Sequence, residues 1–116
     1  MKVSKSKIEG VIMKENDTYL LEDNNNLEHL TLSKTTLNPH KSTRGHSHDN
    51  QEEVYFFHGE GVMVLGDEEF NVSDGDIVLI PKGTFHRVIN PTDEELMFVC
   101  VFEKYDRGGE TAKYQK

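Results

Sequence analysis

Val54-Tyr55-Phe56-Phe57-His58-Gly59-Glu60-Gly61-Val62-Met63-Val64-Leu65-Gly66-Asp67-Glu68-Glu69-Phe70-Asn71-Val72-Ser73-Asp74-Gly75-Asp76-Ile77-Val78-Leu79-Ile80 is the stretch that decides the fold class. Short apolar runs alternate with clusters of turn formers. Val54 to Phe57 is β-branched and aromatic, the composition of a buried strand. His58-Gly59-Glu60-Gly61 breaks it, and Val62 to Leu65 starts the next strand. Gly66-Asp67-Glu68 and Ser73-Asp74-Gly75-Asp76 repeat the same punctuation, because Gly, Asp and Ser favour the conformations that reverse a chain. Between these turns Glu69 to Val72 alternates polar and apolar, as a half-buried strand does, and Ile77 to Ile80 is again apolar.

The pattern extends in both directions. Toward the C-terminus, Phe85 to Asn90 reads as a strand, Asn90-Pro91-Thr92-Asp93 as a turn, and Glu95 to Glu103 as a last long strand. Toward the N-terminus, Leu27 to Leu37 has strand character and ends before Pro39, which cannot donate to a ladder. Glu22 to Asn26 reads as a turn. Thr18 to Leu21 and Val11 to Met13 are two further short apolar runs. About eight to ten short strands, with turn signals roughly every 8–12 residues, predict an all-β sandwich or barrel. No stretch carries a sustained helical apolar period.

The chain has 116 residues, a length that predicts one domain over 1–116, with a core over 27–103, an N-terminal arm at 1–10 and a polar tail at 104–116. Only 34% of residues are hydrophobic and the net charge is -8. That charge disfavours nucleic acid and anionic membrane as partners, since both require a basic footprint. The single cysteine, Cys100, lies in the apolar run Leu96 to Phe102 and reads as a core residue. With no partner for an intrachain disulfide and no apolar stretch after the first lysines, the expected setting is cytoplasmic.

Chemistry concentrates in Gly45-His46-Ser47-His48-Asp49-Asn50-Gln51-Glu52-Glu53. On a strand His46 and His48 share a face, roughly 6–7 Å apart. Asp49-Asn50-Gln51 favours a turn that can bring Glu52 back beside them. Two imidazoles and a carboxylate at this spacing suit a metal ion. Arg44 falls on the same face as His46 if the strand is regular, where it can clamp a carboxylate or phosphate. A third histidine, His86, follows the strand Ile77 to Ile80 and the reversal Pro81-Lys82-Gly83. It starts a return strand and can point toward the first cluster.

These two runs together resemble the cupin family. Its first motif is His-x-His followed by Glu and Gly, met here by His46, His48, Glu52 and Gly59; its second is met by Gly75, Pro81, Gly83, His86 and Asn90. The chain departs from the family at His40, where a glycine is usual. The resemblance, over about Leu30 to Phe102, implies a single-domain jelly-roll barrel with a metal in one mouth. The ligands it implies by position are His46, His48, Glu52 and His86. Glu53 competes with Glu52; the six residues between Glu52 and Gly59 favour Glu52.

Three imidazoles and a carboxylate accept a divalent transition metal such as Fe, Mn, Ni, Co, Cu or Zn. Four protein ligands on an octahedral ion leave positions for water or substrate, which marks a catalytic rather than a structural site. The expected function is a metal-dependent enzyme on a small polar metabolite, an isomerase or epimerase of a sugar or sugar phosphate. A non-haem iron dioxygenase and a non-catalytic ligand-binding module are the alternatives. Similarity to small cupins also implies a homodimer, with Lys2 to Met13 as the candidate pairing strand.

Overall fold

The computed structural model of the chain describes residues 10–49 and 51–104. Nine strands follow one another: β1 (Val11–Glu15), β2 (Tyr19–Asn24), β3 (Leu30–Leu37), β4 (Glu53–His58), β5 (Gly61–Leu65), β6 (Glu68–Val72), β7 (Ile77–Ile80), β8 (His86–Ile89) and β9 (Leu96–Glu103). Among the described residues there is no helix, so none is long and apolar enough to cross a membrane. The all-β expectation holds.

Two antiparallel sheets form a jelly roll. One has the order β1-β2-β3-β9-β4-β7 and the other β6-β5-β8. The larger is knitted by β9, whose eight residues all pair with β3 on one side while Met97 to Phe102 also pair with β4 on the other. The sheets do not close into a continuous barrel; they face each other across an apolar core. Alternate residues of each strand point into it. From β4 come Tyr55 and Phe57, and from β9 Leu96, Phe98, Cys100 and Phe102, all buried. The Tyr55 ring stacks on Phe98 with centroids 5.1 Å apart, and Phe57 tilts against Phe98 at 5.6 Å. Packing of this kind, more than intrinsic preference, decides which face of a strand is buried.

Asn90 lies at the end of β8 and is fully buried. Its Nδ2 donates to the carbonyls of Leu37, Asn38 and Glu94 at 3.2, 3.1 and 2.7 Å. Its Oδ1 accepts from the Thr92 amide and hydroxyl at 3.0 and 2.8 Å. The motif asparagine is therefore a clamp that ties the end of β3 to the β8–β9 turn. A buried amide satisfied this fully specifies a single arrangement of the chains around it.

His40, at the position where the family carries glycine, adopts φ 60. Only glycine reaches that region without steric cost. His40 is held in this conformation by its amide on the Thr92 carbonyl at 3.2 Å and its Nε2 against Asp93 at 2.6 Å.

Two expectations are corrected by the strands themselves. Glu22, Asp23 and Asn24 are the end of β2 rather than a turn, paired with Lys34, Ser33 and Leu32. His46 and His48 do not lie on a named strand: His46 forms an isolated bridge with His86. Val11 to Glu15, which includes the end of the candidate pairing strand, pairs with β2 and is an edge of the larger sheet. The rest of that segment lies outside the described residues, as does nearly all of the 104–116 tail.

Candidate metal centre

That bridge is the frame of the site. The His46 amide donates to the His86 carbonyl at 3.1 Å, and the His86 amide returns the bond to His46 at 3.0 Å. Facing residues of an antiparallel pair share a side of the sheet, so both imidazoles point into the roll. Further along, the Thr43 amide donates to the Val88 carbonyl at 2.9 Å. Residues 42–46 thus run beside β8 as an extra ribbon on the smaller sheet.

The ribbon is not regular. Ser42 faces Ile89 while His46 faces His86, which shifts the register by one residue between them. Gly45 takes up the shift with φ 85. Such a bulge re-aims the side chains that follow it. Thr43 is buried and Arg44 is exposed, so the regular strand on which Arg44 shared a face with His46 does not exist. Arg44 instead stands near Tyr19. Burial pushes the Tyr19 hydroxyl's pKa up, and the guanidinium opposes that rise.

His48 follows beyond Ser47, and a turn at Asp49 leads into β4. The inward residues of β4 are 53, 55 and 57. Glu53 therefore enters the cluster, and Glu52, one residue earlier, is exposed. This corrects the expected carboxylate from Glu52 to Glu53. The same shift places His58 on the outer face of β4, where it pairs with Asp74. A strand alternates with period two, so a one-residue error moves every side chain to the other face.

Four residues converge: His46, His48, Glu53 and His86, with one donor atom from each lying within 4.8 Å of the others. Glu53 Oε1 is 2.8 Å from His48 Nε2, 3.4 Å from His86 Nε2 and 3.7 Å from His46 Nε2. The two facing ring nitrogens of His46 and His86 are 3.0 Å apart. His86 Nδ1 donates to the Thr84 carbonyl at 2.9 Å, which leaves its Nε2 as a lone pair aimed at the cluster. Glu53 and His86 side chains are each 2% exposed, whereas His48 is 10% and His46 19% exposed. The site opens on the His46 side and is sealed beneath by Tyr55, whose ring meets His86 edge-on at 5.6 Å.

The donor set fits a divalent transition ion. Atoms about 2.1 Å from a common ion lie roughly 3.0 Å apart at right angles and roughly 3.4 Å apart at tetrahedral angles. The separations of 2.8, 3.0, 3.4 and 3.7 Å surround those values. Imidazole lone pairs and a buried carboxylate facing one another favour positive charge between them, as shared protons or as a cation. A single cation would reach all four.

Comparison with known proteins agrees with this fold. The family model for the cupin domain matches residues 33–102. An uncharacterized protein of Methanocaldococcus jannaschii is 38% identical over 56 residues, which cover 47% of this chain and 45% of that protein. A glucose-6-phosphate isomerase of Thermococcus onnurineus is 29% identical over 100 residues, covering 74% of this chain and 53% of that enzyme. The chain thus spans about half the length of the curated relatives it matches. Among solved structures, a predicted oxalate decarboxylase of Thermotoga maritima superposes with a TM-score of 0.71 at 21% identity, covering 90% of this chain and 100% of that one. Oxalate decarboxylase of Bacillus subtilis, described with Mn(II) centres, gives a TM-score of 0.71 at 23% identity, with 79% of this chain and 28% of that one covered. Likeness at these identities establishes the shared fold.

Proposed function

We propose that this chain, which belongs to the cupin domain family, is a divalent-metal-dependent enzyme acting on a small polar metabolite, with isomerisation of a sugar or sugar phosphate as its reaction. The observation that carries this reading is the arrangement of three imidazole nitrogens and one carboxylate around a common point, open on one side. Structural sites surround their ion completely; a site with an open side admits substrate.

Each residue has a definable task. His46, His48 and His86 would hold the ion through ring nitrogens, with the Thr84 carbonyl keeping the His86 proton on Nδ1. Glu53 contributes one negative charge from a position shielded from water. Tyr55 sits below with its hydroxyl's pKa pushed well up, first by burial and then by nearby Cys100 and Glu53, so it adds no second negative charge at neutral pH. The chemistry such an ion supplies when bound is Lewis acidity at a carbonyl oxygen, which lowers the cost of removing a proton from the adjacent carbon. That step is the core of aldose–ketose interconversion. The relation to a glucose-6-phosphate isomerase supports the choice of this reaction over others that the same centre can serve.

Metal analysis of the purified protein, paired with anaerobic assays on aldose and ketose phosphates, tests the proposal. Near-stoichiometric transition metal in the wild type, its loss in His86→Ala, and interconversion without oxygen are expected. Oxygen uptake by the Fe(II)-loaded protein with substrate consumption would replace the isomerase with an oxygenase. Unchanged metal content in His86→Ala would overturn the site.

A further inference from the structure

We propose that Arg87 is a positioning residue of the metal centre: from the outer face of the smaller sheet it fixes the register of residues 42–46 and so aims His46 at the other three donors. The inference rests on the reading of His46, His48, Glu53 and His86 as the holders of one ion. The Arg87 guanidinium bonds to Thr43 and Ser42 and acts on the centre only through the ribbon they belong to.

The hydrogen bonds of the ribbon locate the point that has to be held. On either side of the Ser42–Ile89 bridge the ladder is regular: the Asn90 amide donates to the Lys41 carbonyl at 2.8 Å, and the Thr43 amide to the Val88 carbonyl at 2.9 Å. In an unbroken antiparallel ladder Thr43 and Val88 would exchange both bonds, with the Val88 amide donating to the Thr43 carbonyl. The Val88 amide donates instead to Thr43 Oγ1 at 2.9 Å. The Thr43 carbonyl has turned out of the ladder, and this is where the bulge through Gly45 begins. Thr43 is buried, and a backbone carbonyl left without a partner there is costly. Arg87 Nε donates to that carbonyl at 2.9 Å, and Arg87 Nη2 donates to Ser42 Oγ at 2.7 Å. Two side chains, Thr43 and Arg87, thus replace the ladder bond that the bulge breaks.

An arginine suits this task. His86 and Val88 are buried, so strand alternation sends Arg87, between them, to the outer face. The chain carries 21 acidic residues, yet among the described residues Arg87 is in no ion pair and is committed to the ribbon. Its planar fork holds acceptors on two adjacent residues at once, and its charge strengthens both bonds. The competing state is close by. In regular register Gly45 rather than His46 would face His86, and a slip of one residue turns the His46 side chain to the other face of the sheet. That state regains the Thr43–Val88 ladder bond; the Arg87 fork offsets this gain only in the bulged register.

A double-mutant cycle on metal affinity, read by Co(II) titration of the full chain, tests the proposal. Arg87→Met keeps the aliphatic stem and removes the fork. It is expected to weaken Co(II) binding at least about 10-fold, the usual effect of losing a group that orients a metal ligand, and to alter the visible Co(II) bands while the circular dichroism stays unchanged. Added to His46→Ala, it is expected to weaken binding no further, because the ligand that it aims is gone. Unchanged affinity in Arg87→Met overturns the proposal. So does a loss of equal size with and without His46, which would mean that Arg87 acts on the fold at large. A wild type that takes up no Co(II), or uptake undiminished in His46→Ala, overturns the reading of the centre itself and this inference with it. Were Arg87→Met to misfold, NMR of the wild type decides: an Arg87 Nε–H that exchanges slowly with water supports the clamp, and one that exchanges as fast as a free side chain overturns it.

Discussion

Glu53 Oε1 stands 2.8 Å from His48 Nε2, and the two side chains reach that distance from opposite ends of the turn that joins the histidine ribbon to β4. The first prediction follows from this contact. Glu53→Gln keeps the shape of the side chain but removes the negative charge, so metal affinity is expected to fall by at least about 10-fold, since lesser disturbances around metal ligands already cost that much. Glu52→Gln, at an exposed position, is expected to leave it unchanged. Metal titration of both variants checks the pair, and equal losses would mean that the carboxylate is shared or misassigned.

Metal removal is predicted to lower thermal stability. The cluster brings unshared electron pairs together, and a bound cation stabilises only the folded arrangement. Free metal at 100 times its dissociation constant contributes about 2.7 kcal/mol. For a chain of this size that is a rise in Tm of roughly 10 °C. Differential scanning calorimetry before and after chelation measures it, and chelator-insensitive melting of metal-loaded protein would count against a built site.

Gly45 is expected to tolerate no side chain. Its φ is 85, and an added Cβ would lie 2.4 Å from Phe85 Cζ. Gly45→Ala then distorts the bridge that aligns His46 with His86, with a stability loss of about 1–3 kcal/mol. Metal content should fall along with stability. Combining it with Phe85→Ala relieves the collision but leaves the backbone strain, so only partial recovery of metal binding is expected. Full recovery would show that the strain is negligible.

At His40 the reverse holds. Its left-handed backbone invites glycine, so His40→Gly is expected to change unfolding free energy by less than about 0.5 kcal/mol, with relief of strain offset by a more flexible unfolded chain and the lost Asp93 contact. His40→Val, β-branched at the same φ, should cost about 1–3 kcal/mol. Denaturant titration separates the two, and equal effects would place the importance of His40 in its side chain.

The sheets were legible because turn clusters are local: each Gly, Asp, Asn or Ser group in 58–76 marks a reversal that the structure contains. Three histidines of the centre were legible for a related reason, since the turns that position them sit next to them in sequence. The carboxylate was not. Val54-Tyr55-Phe56-Phe57 is apolar at every position, so the run carries no alternation from which to read its phase. Only packing of Tyr55 and Phe57 against Phe98 decides that odd positions face inward, and with them Glu53. The bulge at Gly45 was equally silent, because it depends on the register of a distant strand, β8. The polar end of β2 read as a turn for want of apolar residues; pairing with β3 overrides that preference.

Tyr55 supplies the final prediction, a dependence on alkaline pH. Its hydroxyl is fully enclosed, and burial, with Cys100 and Glu53 close by, raises its pKa well above the ordinary 10.0. The unfolded chain, where the hydroxyl keeps the ordinary value, loses this proton first as pH rises. Between the two values the folded state binds more protons, and stability falls with increasing pH. The contribution is fully present below pH 10 and is lost progressively above it. In Tyr55→Phe that group is absent, so the difference in stability between wild type and variant should be constant from pH 7 to 9 and shift in favour of the variant above pH 10. Urea denaturation across that range checks it. Parallel curves for the two proteins would mean that Tyr55 ionises in the folded protein as it does in the unfolded chain, and that the floor of the centre is wetter than its burial indicates.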